Sequence, residues 1–250
     1  GPDGIAAEFY ITHADIFAPV LARLFMAINT LRSAPRGFTD GLVVYLHKQP
    51  HESGDPPTRP SNLRPITLLG ADYKIYGTVL TQRLLPALAE IIPQGQSAFL
   101  PGRLITDNVL LSRAVHDMLC AAGKGAVAVD LDIAKAYDQV SRTALRRLWV
   151  ALGGEERSPW LAVLCDNTMS RAYVNGFVSP PFQLCAGVRQ GCPASPALYL
   201  LIALGLRRLL EAQRVGLPTY GKGTDIQHAV AGQYADDTTV YCDDRAPSLQ

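Results

Sequence analysis

Two adjacent carboxylates give the clearest chemical signal of the sequence, in the segment Tyr234-Ala235-Asp236-Asp237. Strand-like composition on both sides of this segment predicts that the pair lies at the tip of a hairpin. Two carboxylates about 4 Å apart repel by about 4 kcal/mol at an effective dielectric constant of about 20. A hard cation such as Mg²⁺, which prefers carboxylate oxygens and substrate phosphates, would offset this repulsion. The alternative is an ordinary turn, because Asp side chains bond to nearby backbone groups in turns.

A second acidic pair, Asp130 and Asp132, lies near the end of the apolar run 126–133. Alternation along a strand puts both side chains on one face, opposite Leu131 and Ile133. Acids are rare in a central strand unless they lie at its end or at a functional site. Asp132 precedes a helix-like segment and is placed to project toward a metal, whereas Asp130 also fits a solvated strand end.

Two further segments carry groups that suit a nucleotide substrate. The turn 187–196 holds two glycines and two prolines, and glycine lets a substrate base or backbone approach closely. The alternative is a plain loop with Ser195 as the N-cap of the next helix. Lys48 and Arg64 lie on or beside two predicted strands, where both would suit a triphosphate. Their alternative is a pair of solvated basic side chains.

The elements that must position these residues are a mixture of helices and strands. Apolar spacing predicts helices over 15–31, 73–92, 105–122, 142–152, 160–169 and 196–212. Ser141 is the predicted cap of the fourth helix, and Pro86 is expected to kink or divide the second. Strands are predicted over 42–46, 66–69, 126–133, 171–174, 182–186, 229–234 and 238–242. The absence of a regular βαβα alternation favours an α+β fold with an antiparallel sheet.

Amino-acid composition limits the kinds of partner and of cysteine chemistry that are expected of the chain. The chain is 48% apolar and 18% charged with a net charge of +1, so nucleic-acid contact would depend on where basic residues are placed. Five cysteines without a C-x-x-C pair predict free thiols rather than a disulfide framework. Apolar runs such as 197–206 fall short of the ~20 residues that span a bilayer, so no membrane partner is expected. No signal peptide is visible, and a first residue other than Met is expected of a fragment.

The order of these motifs resembles the reverse transcriptase domain of non-LTR (LINE-type) retrotransposons. The order is a basic strand pair, D-x-x-K-A-Y-D from Asp132, R-Q-G-x-P-x-S-P from Arg189, and Y-A-D-D from Tyr234. The resemblance covers nearly the whole chain and includes the segments 1–10, 63–69, 96–108 and 174–182. The third of these is shared with group II intron reverse transcriptases.

The resemblance implies a role for each matching residue. Asp132, Asp236 and Asp237 match the catalytic acids that hold two Mg²⁺ ions, which in such sites lie about 3.5–4 Å apart. The implied substrate-binding residues are Arg64 and Lys48 on the triphosphate, Tyr137 against the sugar 2′ carbon, and Gln190 and Gly191 beside the nascent base pair. Arg103 and Asn108 lie in a segment that the family uses near the template.

The resemblance also implies the architecture and the partners. The expected fold is the α+β right-hand polymerase, with fingers and palm, an antiparallel palm sheet packed on helices, and no thumb. Residues 1–125 would form an N-terminal extension and the fingers, and 126–250 mainly the palm with the catalytic motifs. The expected partners are an RNA template, a DNA primer and dNTP substrates. An intracellular, nuclear location is expected of a LINE-type protein.

Three functions stay open at this point. The first is an RNA-directed DNA polymerase, which the retained acids favour. The second is an inactive retroelement remnant or an RNA-binding module, and the third is a group II intron-type reverse transcriptase with a splicing role. Only thirteen residues (250 − 237) follow Asp237, so the activity of the isolated chain without a thumb is left open.

Overall fold

The computed structural model of the chain describes residues 1–48, 60–121, 123, 125–156, 158–166, 168–213, 215–220, 226–229 and 231–243. The helices are α1 (Ala7–Thr12), α2 (Ala14–Leu31), α3 (Ala71–Ile91), α4 (Ile105–Ala121), α5 (Arg142–Ala151), α6 (Pro159–Cys165) and α7 (Ser195–Ala212). The strands are β1 (Gly41–His47), β2 (Leu63–Leu69), β3 (Ala126–Leu131), β4 (Met169–Val174), β5 (Phe177–Val178), β6 (Phe182–Gln183), β7 (Leu217–Tyr220), β8 (Ile226–Ala229), β9 (Ala231–Tyr234) and β10 (Asp237–Asp243). A short 3-10 turn at Pro60–Asn62 precedes β2.

The chain divides into two compact units that interleave along the sequence. The first consists of Gly1–Gln82 and Tyr137–Ser195, and the second of Arg83–Ala136 and Pro196–Gln250. One boundary lies inside α3, which continues through Pro86 as a single helix instead of dividing there. These units do not coincide with a division at residues 125 and 126, and the assignment of fingers and palm stays a prediction.

The first unit is built on a mixed sheet with the strand order β2-β1-β4-β5, to which β6 adds on β4. β1 and β2 are antiparallel, with Leu46 opposite Arg64. β1 and β4 run parallel, with Gly41 opposite Ser170. The sequence analysis predicts an antiparallel sheet, and this first sheet differs from that prediction by its one parallel pair. Parallel neighbours need a long crossover connection, and local alternation does not reveal which distant strands will pair.

Aromatic side chains fill the core of the first unit. Tyr73 and Tyr76, on one face of α3, are 0% and 1% exposed. The Phe38 ring lies 5.6 Å from the Tyr73 ring and 5.9 Å from the Tyr76 ring, between centroids. On α5, the Ser141 hydroxyl accepts a hydrogen bond from Ala144 N at 3.2 Å, which confirms the predicted cap.

Helix α2 is more apolar than the sequence analysis allowed for. Among the described helices it alone passes a test of length and composition for crossing a membrane, with 18 residues and a mean hydropathy of 1.4. Only 11% of it is buried, although Ile28 is covered and the Phe25 ring lies 5.1 Å from that of Tyr76. The expectation from the sequence concerned continuous apolar runs, whereas Asp15 and Arg23 interrupt the apolar residues of this helix. Core helices and signal sequences pass the same test, so it assigns no membrane role by itself.

The second unit carries a three-stranded antiparallel sheet of order β3-β10-β9, together with the separate pair β7-β8. Helices cover both faces of the three-stranded sheet. Val240 and Cys242 pack with Leu210 of α7, whereas Tyr241 packs with Val115 of α4. The predicted hairpin is confirmed, since Tyr234 pairs with Asp237 across a two-residue turn.

Candidate active site

The three-stranded sheet brings the catalytic candidates of the sequence to one end. β10 pairs with β3 so that Thr238 lies opposite Leu131 and Thr239 opposite Asp130. One further step in this register puts Asp237 opposite Asp132, the first residue after β3. Asp132 and Asp236 are 104 positions apart in sequence (236 − 132), and the pairing of β3 with β10 brings the backbone segments that precede and follow them together.

The three carboxylates do not form a closed cluster. Within the described ranges, no group of three His, Cys, Asp or Glu side chains is arranged to hold a metal ion. Asp132 and Asp237 are exposed and Asp236 is half-buried, so packing does not fix the rotamers of the first two. Strand register and carboxylate donor chemistry fit a hard divalent cation. The three carboxylates are not arranged around a common point that a metal ion could occupy. The shared metal site therefore stays a prediction.

Asp130 has a different environment from Asp132. The Thr239 hydroxyl donates to Asp130 Oδ1 across the strand pair at 2.6 Å. The carboxylate is therefore paired within the sheet, as a strand residue would be. This contact favours the interpretation of Asp130 as a solvated strand residue and makes it a natural control for Asp132.

A buried tyrosine lies close to the acidic hairpin. Tyr199 of α7 is 2% exposed. Burial, together with the negative charges of Asp236 and Asp237, raises the pKa of its hydroxyl to about 12. From the sequence, 196–212 is predicted only as an apolar helix. An isolated Tyr in an apolar helix gives no local signal that a carboxylate pair will pack near it.

A groove lies beside the hairpin, between α4 and the strands β9 and β10, with a volume of about 610 Å³. Asp237 and Tyr234 line it on the strand side. Asn108, Ser112, Arg113 and His116 line it on the helix side. Polar and basic groups of α4 thus face the strand that ends at the acids.

Arg103, a predicted template contact, is bonded within its own unit. Its Nη1 donates to the carbonyl oxygens of Pro93 at 2.7 Å and Gln96 at 2.8 Å. Its Nη2 donates to those of Ala89 at 3.0 Å and Ile92 at 2.7 Å. Burial lowers the pKa of the guanidinium, the charge of Asp107 opposing that effect. Both terminal nitrogens of the guanidinium are therefore engaged by backbone carbonyl oxygens, and Nε makes none of these four bonds. This arrangement favours a structural role for Arg103 over the predicted template contact.

Asn108, the other predicted template contact, is tied to the acidic hairpin. Its Nδ2 donates to the carbonyl oxygen of Gln233 in β9 at 2.7 Å. Its Oδ1 is buried and has no hydrogen-bond partner among the residues that the structure describes. The residue therefore braces the strand that leads to Asp236, and its template contact stays a prediction.

In the first unit, the predicted nucleotide-binding loop around Gln190 and Gly191 packs against β2. Thr67 N donates to the Gln190 carbonyl oxygen at 2.7 Å, and Gln190 Nε2 donates to Asp138 Oδ1 at 3.4 Å. Gly191 has φ 108°, and a Cβ at that position would collide with the Thr67 carbonyl oxygen. Val188 N donates to the Tyr137 carbonyl oxygen at 2.8 Å. The structure thus places Tyr137, Gln190 and Gly191 in one neighbourhood.

Arg189 precedes Gln190 and Gly191 and anchors their loop from the interior of the first unit. It is 5% exposed, and its guanidinium carbon lies 4.6 Å from the centroid of the Tyr73 ring. Its Nη1 donates to the Thr39 carbonyl oxygen at 2.5 Å. The Ser195 hydroxyl donates to the Arg189 carbonyl oxygen at 2.8 Å, so Ser195 closes the loop rather than only capping α7.

Arg64 and Lys48 lie at one end of the β1-β2 hairpin. Arg64 is exposed in β2, opposite Leu46 of β1. Lys48 directly follows β1, is exposed, and its backbone N donates to the Asn62 carbonyl oxygen at 3.0 Å. The hairpin therefore brings two basic side chains to one end, as a triphosphate site would require.

Comparison with known proteins identifies the family. Residues 47–250 match the family described as reverse transcriptase (RNA-dependent DNA polymerase). The chain belongs to that family. Like its other members in general, this reverse transcriptase domain is expected to work with divalent metal ions, which its carboxylate donors suit.

The relatives place the domain among those of non-LTR retrotransposons. It is 31% identical over 245 residues to the transposon TX1 uncharacterized 149 kDa protein of Xenopus laevis, covering 98% of this chain and 18% of that protein. It is 26% identical over 226 residues to the RNA-directed DNA polymerase from mobile element jockey of Drosophila melanogaster, covering 88% and 23%. The chain spans about a fifth of the length of such curated relatives.

Solved telomerases share the fold of the domain. The apo telomerase of Candida Tropicalis truncated from its C-terminal domain aligns with TM-score 0.52 at 13% identity, covering 85% of this chain and 45% of the other. The telomerase of that organism in complex with a TWJ fragment of telomeric RNA aligns with TM-score 0.54 at 14% identity, covering 85% and 37%. At such identities the likeness shows the fold alone, a reverse transcriptase and telomerase-like fold of mixed helices and strands.

Proposed function

We propose that this reverse transcriptase domain transfers nucleotides from dNTPs to a DNA primer 3′-OH under the direction of an RNA template. The observation that carries the proposal is the register of the β3-β10-β9 sheet, with Thr238 opposite Leu131 and Asp237 opposite Tyr234, whose continuation by one step brings Asp132 level with Asp237. Membership of the family supports the reaction. The RNA bound to one of the structurally similar telomerases supports RNA as a partner.

The proposed architecture is the fingers and palm of a right-hand polymerase. We assign 1–125 to the N-terminal extension and fingers, and 126–250 mainly to the palm. The antiparallel sheet with its three acids falls in the second of these ranges and is covered by helices, as a palm sheet would be. Arg64 and Lys48 fall in the first range, which suits fingers residues.

Asp132, Asp236 and Asp237 are the proposed ligands of two Mg²⁺ ions. Bound ions would supply Lewis-acid stabilisation of the attacking and leaving oxygens. The protein's part is to hold three oxygen-donor side chains at adjacent strand ends, where substrate phosphates complete the coordination. The sheet fixes the backbone beside these residues, and their carboxylates would turn toward the ions when these bind.

The remaining candidates are assigned the roles that the family resemblance implies, and their positions within each unit support these roles. Arg64 and Lys48 bind the triphosphate through charge-assisted hydrogen bonds. Gln190 and Gly191, held against β2, lie beside the nascent base pair, and Tyr137 of the same neighbourhood contacts the sugar. In the second unit, Arg103 and Asn108 shape the template side of the site by holding its backbone, rather than by donating freely to the template.

A pair of neighbouring aspartates tests the proposal. In the intact protein that contains this chain, Asp132→Asn should lower primer extension on an RNA template by about a thousandfold, since each 1.4 kcal/mol is tenfold in rate and a metal supplies several. Asp130→Asn should keep extension within about threefold, because its carboxylate is bonded to Thr239 within the sheet.

The outcomes separate the competing functions. Equal loss in both variants would show that the sheet responds to any change of charge, and would remove Asp132 as a ligand. A parental protein that binds the RNA template but extends no primer at any Mg²⁺ concentration would instead identify an RNA-binding remnant.

A further inference from the structure

The side chain of Gln96 holds the turn that carries the acids. Its Oε1 accepts hydrogen bonds from Ala235 N at 3.0 Å and Ala98 N at 3.1 Å. Its Nε2 donates to the Ala235 carbonyl oxygen at 3.3 Å. One buried amide, 2% exposed, therefore satisfies both backbone groups of the residue immediately before Asp236.

Ala235 needs such support because of its conformation. Its φ is 57°, in the left-handed region that L-residues with a Cβ rarely adopt. It is also 7% exposed, so water does not reach it freely and unpaired backbone groups there would be costly. With Asp236 it forms the two-residue turn between β9 and β10. The conformation of Ala235 therefore sets the direction of the backbone through Asp236 and Asp237.

Gln96 is itself held firmly against the hairpin. Ser97 N donates to the Gln233 carbonyl oxygen at 3.0 Å, and Gln233 N donates to the Gly95 carbonyl oxygen at 2.7 Å. Arg103 donates to the Gln96 carbonyl oxygen at 2.8 Å. The segment around Gln96 is thus bonded to β9 on both sides of that residue.

The other half of the turn has a matching support from within the hairpin. Gln233 Nε2 donates to the Thr238 hydroxyl at 3.3 Å, and that hydroxyl donates to the Asp236 carbonyl oxygen at 3.3 Å. Gln233 is 3% exposed and Thr238 is 3% exposed, so this chain of bonds is protected from water. Both turn residues, Ala235 and Asp236, are therefore fixed by buried polar side chains.

We propose that Gln96 is a positioning residue of the nucleotidyl-transfer site, fixing the turn so that Asp236 and Asp237 point toward Asp132 and a shared divalent ion. The inference rests on the proposed function. Gln96 contacts the backbone of the turn and acts only through the two acids. Partners of this kind, one step removed from the ligands, typically change metal affinity by about 10–100-fold when they are lost.

The test compares Gln96→Ala with two control variants of the same chain. Ser97→Ala changes the next buried residue, whose hydroxyl has no hydrogen-bond partner in the described structure. Val115→Ala loosens the cluster around Tyr241 in the same unit without touching the turn, and so controls for general destabilisation. The probe is Mn²⁺ alone, a cation that carboxylate sites accept as they accept Mg²⁺.

Two readouts are expected to change together. In hydrogen exchange, Gln96→Ala should speed the exchange of the Ala235 amide by about tenfold, because that amide loses its acceptor. In Mn²⁺ titration followed by electron paramagnetic resonance, the same variant should bind about tenfold more weakly or worse. Ser97→Ala and Val115→Ala should leave both the Ala235 exchange and the Mn²⁺ affinity within about twofold of the parent.

The other possible outcomes overturn either the positioning role of Gln96 or the proposed metal site. Unchanged exchange at Ala235 in Gln96→Ala, or faster exchange with unchanged Mn²⁺ affinity, would overturn the positioning role alone. Equal weakening of Mn²⁺ binding in Val115→Ala would show a general stability effect and overturn it as well. A parental chain that binds no Mn²⁺, with an Ala235 amide that still responds to Gln96→Ala, would overturn the proposed metal site and reduce Gln96 to a support of a turn.

Discussion

At the scale of single residues, Tyr137 offers a direct test of substrate choice. The residue is half-buried next to the loop that holds Gln190. If its ring abuts the incoming sugar, Tyr137→Ala in the intact protein should raise incorporation of rNTPs relative to dNTPs by about tenfold or more. Single-nucleotide extension with matched dNTP and rNTP measures the ratio. Tyr173→Ala, which removes a 44% exposed ring of β4, is the control; an unchanged ratio in a folded Tyr137 variant would remove this residue from the site.

Arg103 should behave as a structural residue. Arg103→Ala removes the guanidinium donor from the carbonyl oxygens of Ala89, Ile92, Pro93 and Gln96, of which Pro93 keeps its bond from Gln96 N at 3.1 Å. Since hydrogen bonds to charged groups contribute about 1.5–3 kcal/mol each, we expect the free energy of unfolding to fall by about 3 kcal/mol or more. Urea unfolding of the chain measures this loss.

Arg113→Ala provides the comparison for Arg103. Arg113 is exposed and pairs with Asp117 on the surface of α4, at 3.1 Å. Its loss should cost less than about 1 kcal/mol, as for other surface ion pairs. Equal stability of the two variants, with weaker template binding only for Arg103→Ala, would restore the original prediction of a template contact.

At the scale of elements, the loop that follows β6 depends on one glycine. Gly191 and Gly176 both have positive φ, 108° and 84°. A Cβ at Gly191 would also collide with the Thr67 carbonyl oxygen, whereas a Cβ at Gly176 meets nothing within 4 Å. Gly176→Ala should therefore cost only about 1–2 kcal/mol for its conformation.

Gly191→Ala should cost about 3 kcal/mol or more, because the backbone must shift as well as strain. Since Thr67 N bonds to the carbonyl oxygen of Gln190 at 2.7 Å, that shift should also displace the loop. Thermal unfolding of both variants measures the difference. Equal melting temperatures would show that the loop is not seated on β2.

Local patterns predicted the elements better than they predicted the pairing of strands. Asn175-Gly176 closes a tight turn between β4 and β5, with positive φ at both residues. Asn-Gly is the preferred pair for such a turn, so this signal was present in the sequence. The parallel pairing of β1 with β4 had no such signal, because it joins segments more than a hundred positions apart.

At the scale of the whole molecule, buried hydroxyl groups predict how stability changes with pH. Burial raises the pKa of Tyr76 to about 12, and burial with the charges of Asp236 and Asp237 raises that of Tyr199 to about 12. An unfolded tyrosine titrates near 10. Between these values the unfolded chain has lost protons that the folded chain keeps, so raising the pH favours unfolding.

We therefore expect the free energy of unfolding to fall from pH 10 to pH 12, by about 1–2 kcal/mol for each such tyrosine. Urea unfolding at closely spaced pH values measures the slope, and Tyr199→Phe should make it shallower. Below pH 10 the contribution of the Tyr199 hydroxyl to the free energy of unfolding is fully present. The free energies of unfolding of the variant and the parent should therefore differ by a constant amount in that range. An identical slope in Tyr199→Phe would show that this hydroxyl is not shielded from solvent near the acids.

The sequence by itself determined the donor groups, most of the helices and strands, the acidic hairpin and, through the order of its motifs, the family; it did not predict α1, β5 or β7. Side-chain periodicity and turn chemistry report the local backbone, and they were sufficient to place Asp236 at a hairpin tip. Only the tertiary structure decided that Asp132 aligns with Asp237, that Gln96 holds the turn and that Arg103 bonds to carbonyl oxygens. Each of these depends on segments distant in sequence coming together. Which distant segments pair depends on the packing of the whole chain, and a local pattern does not contain that information.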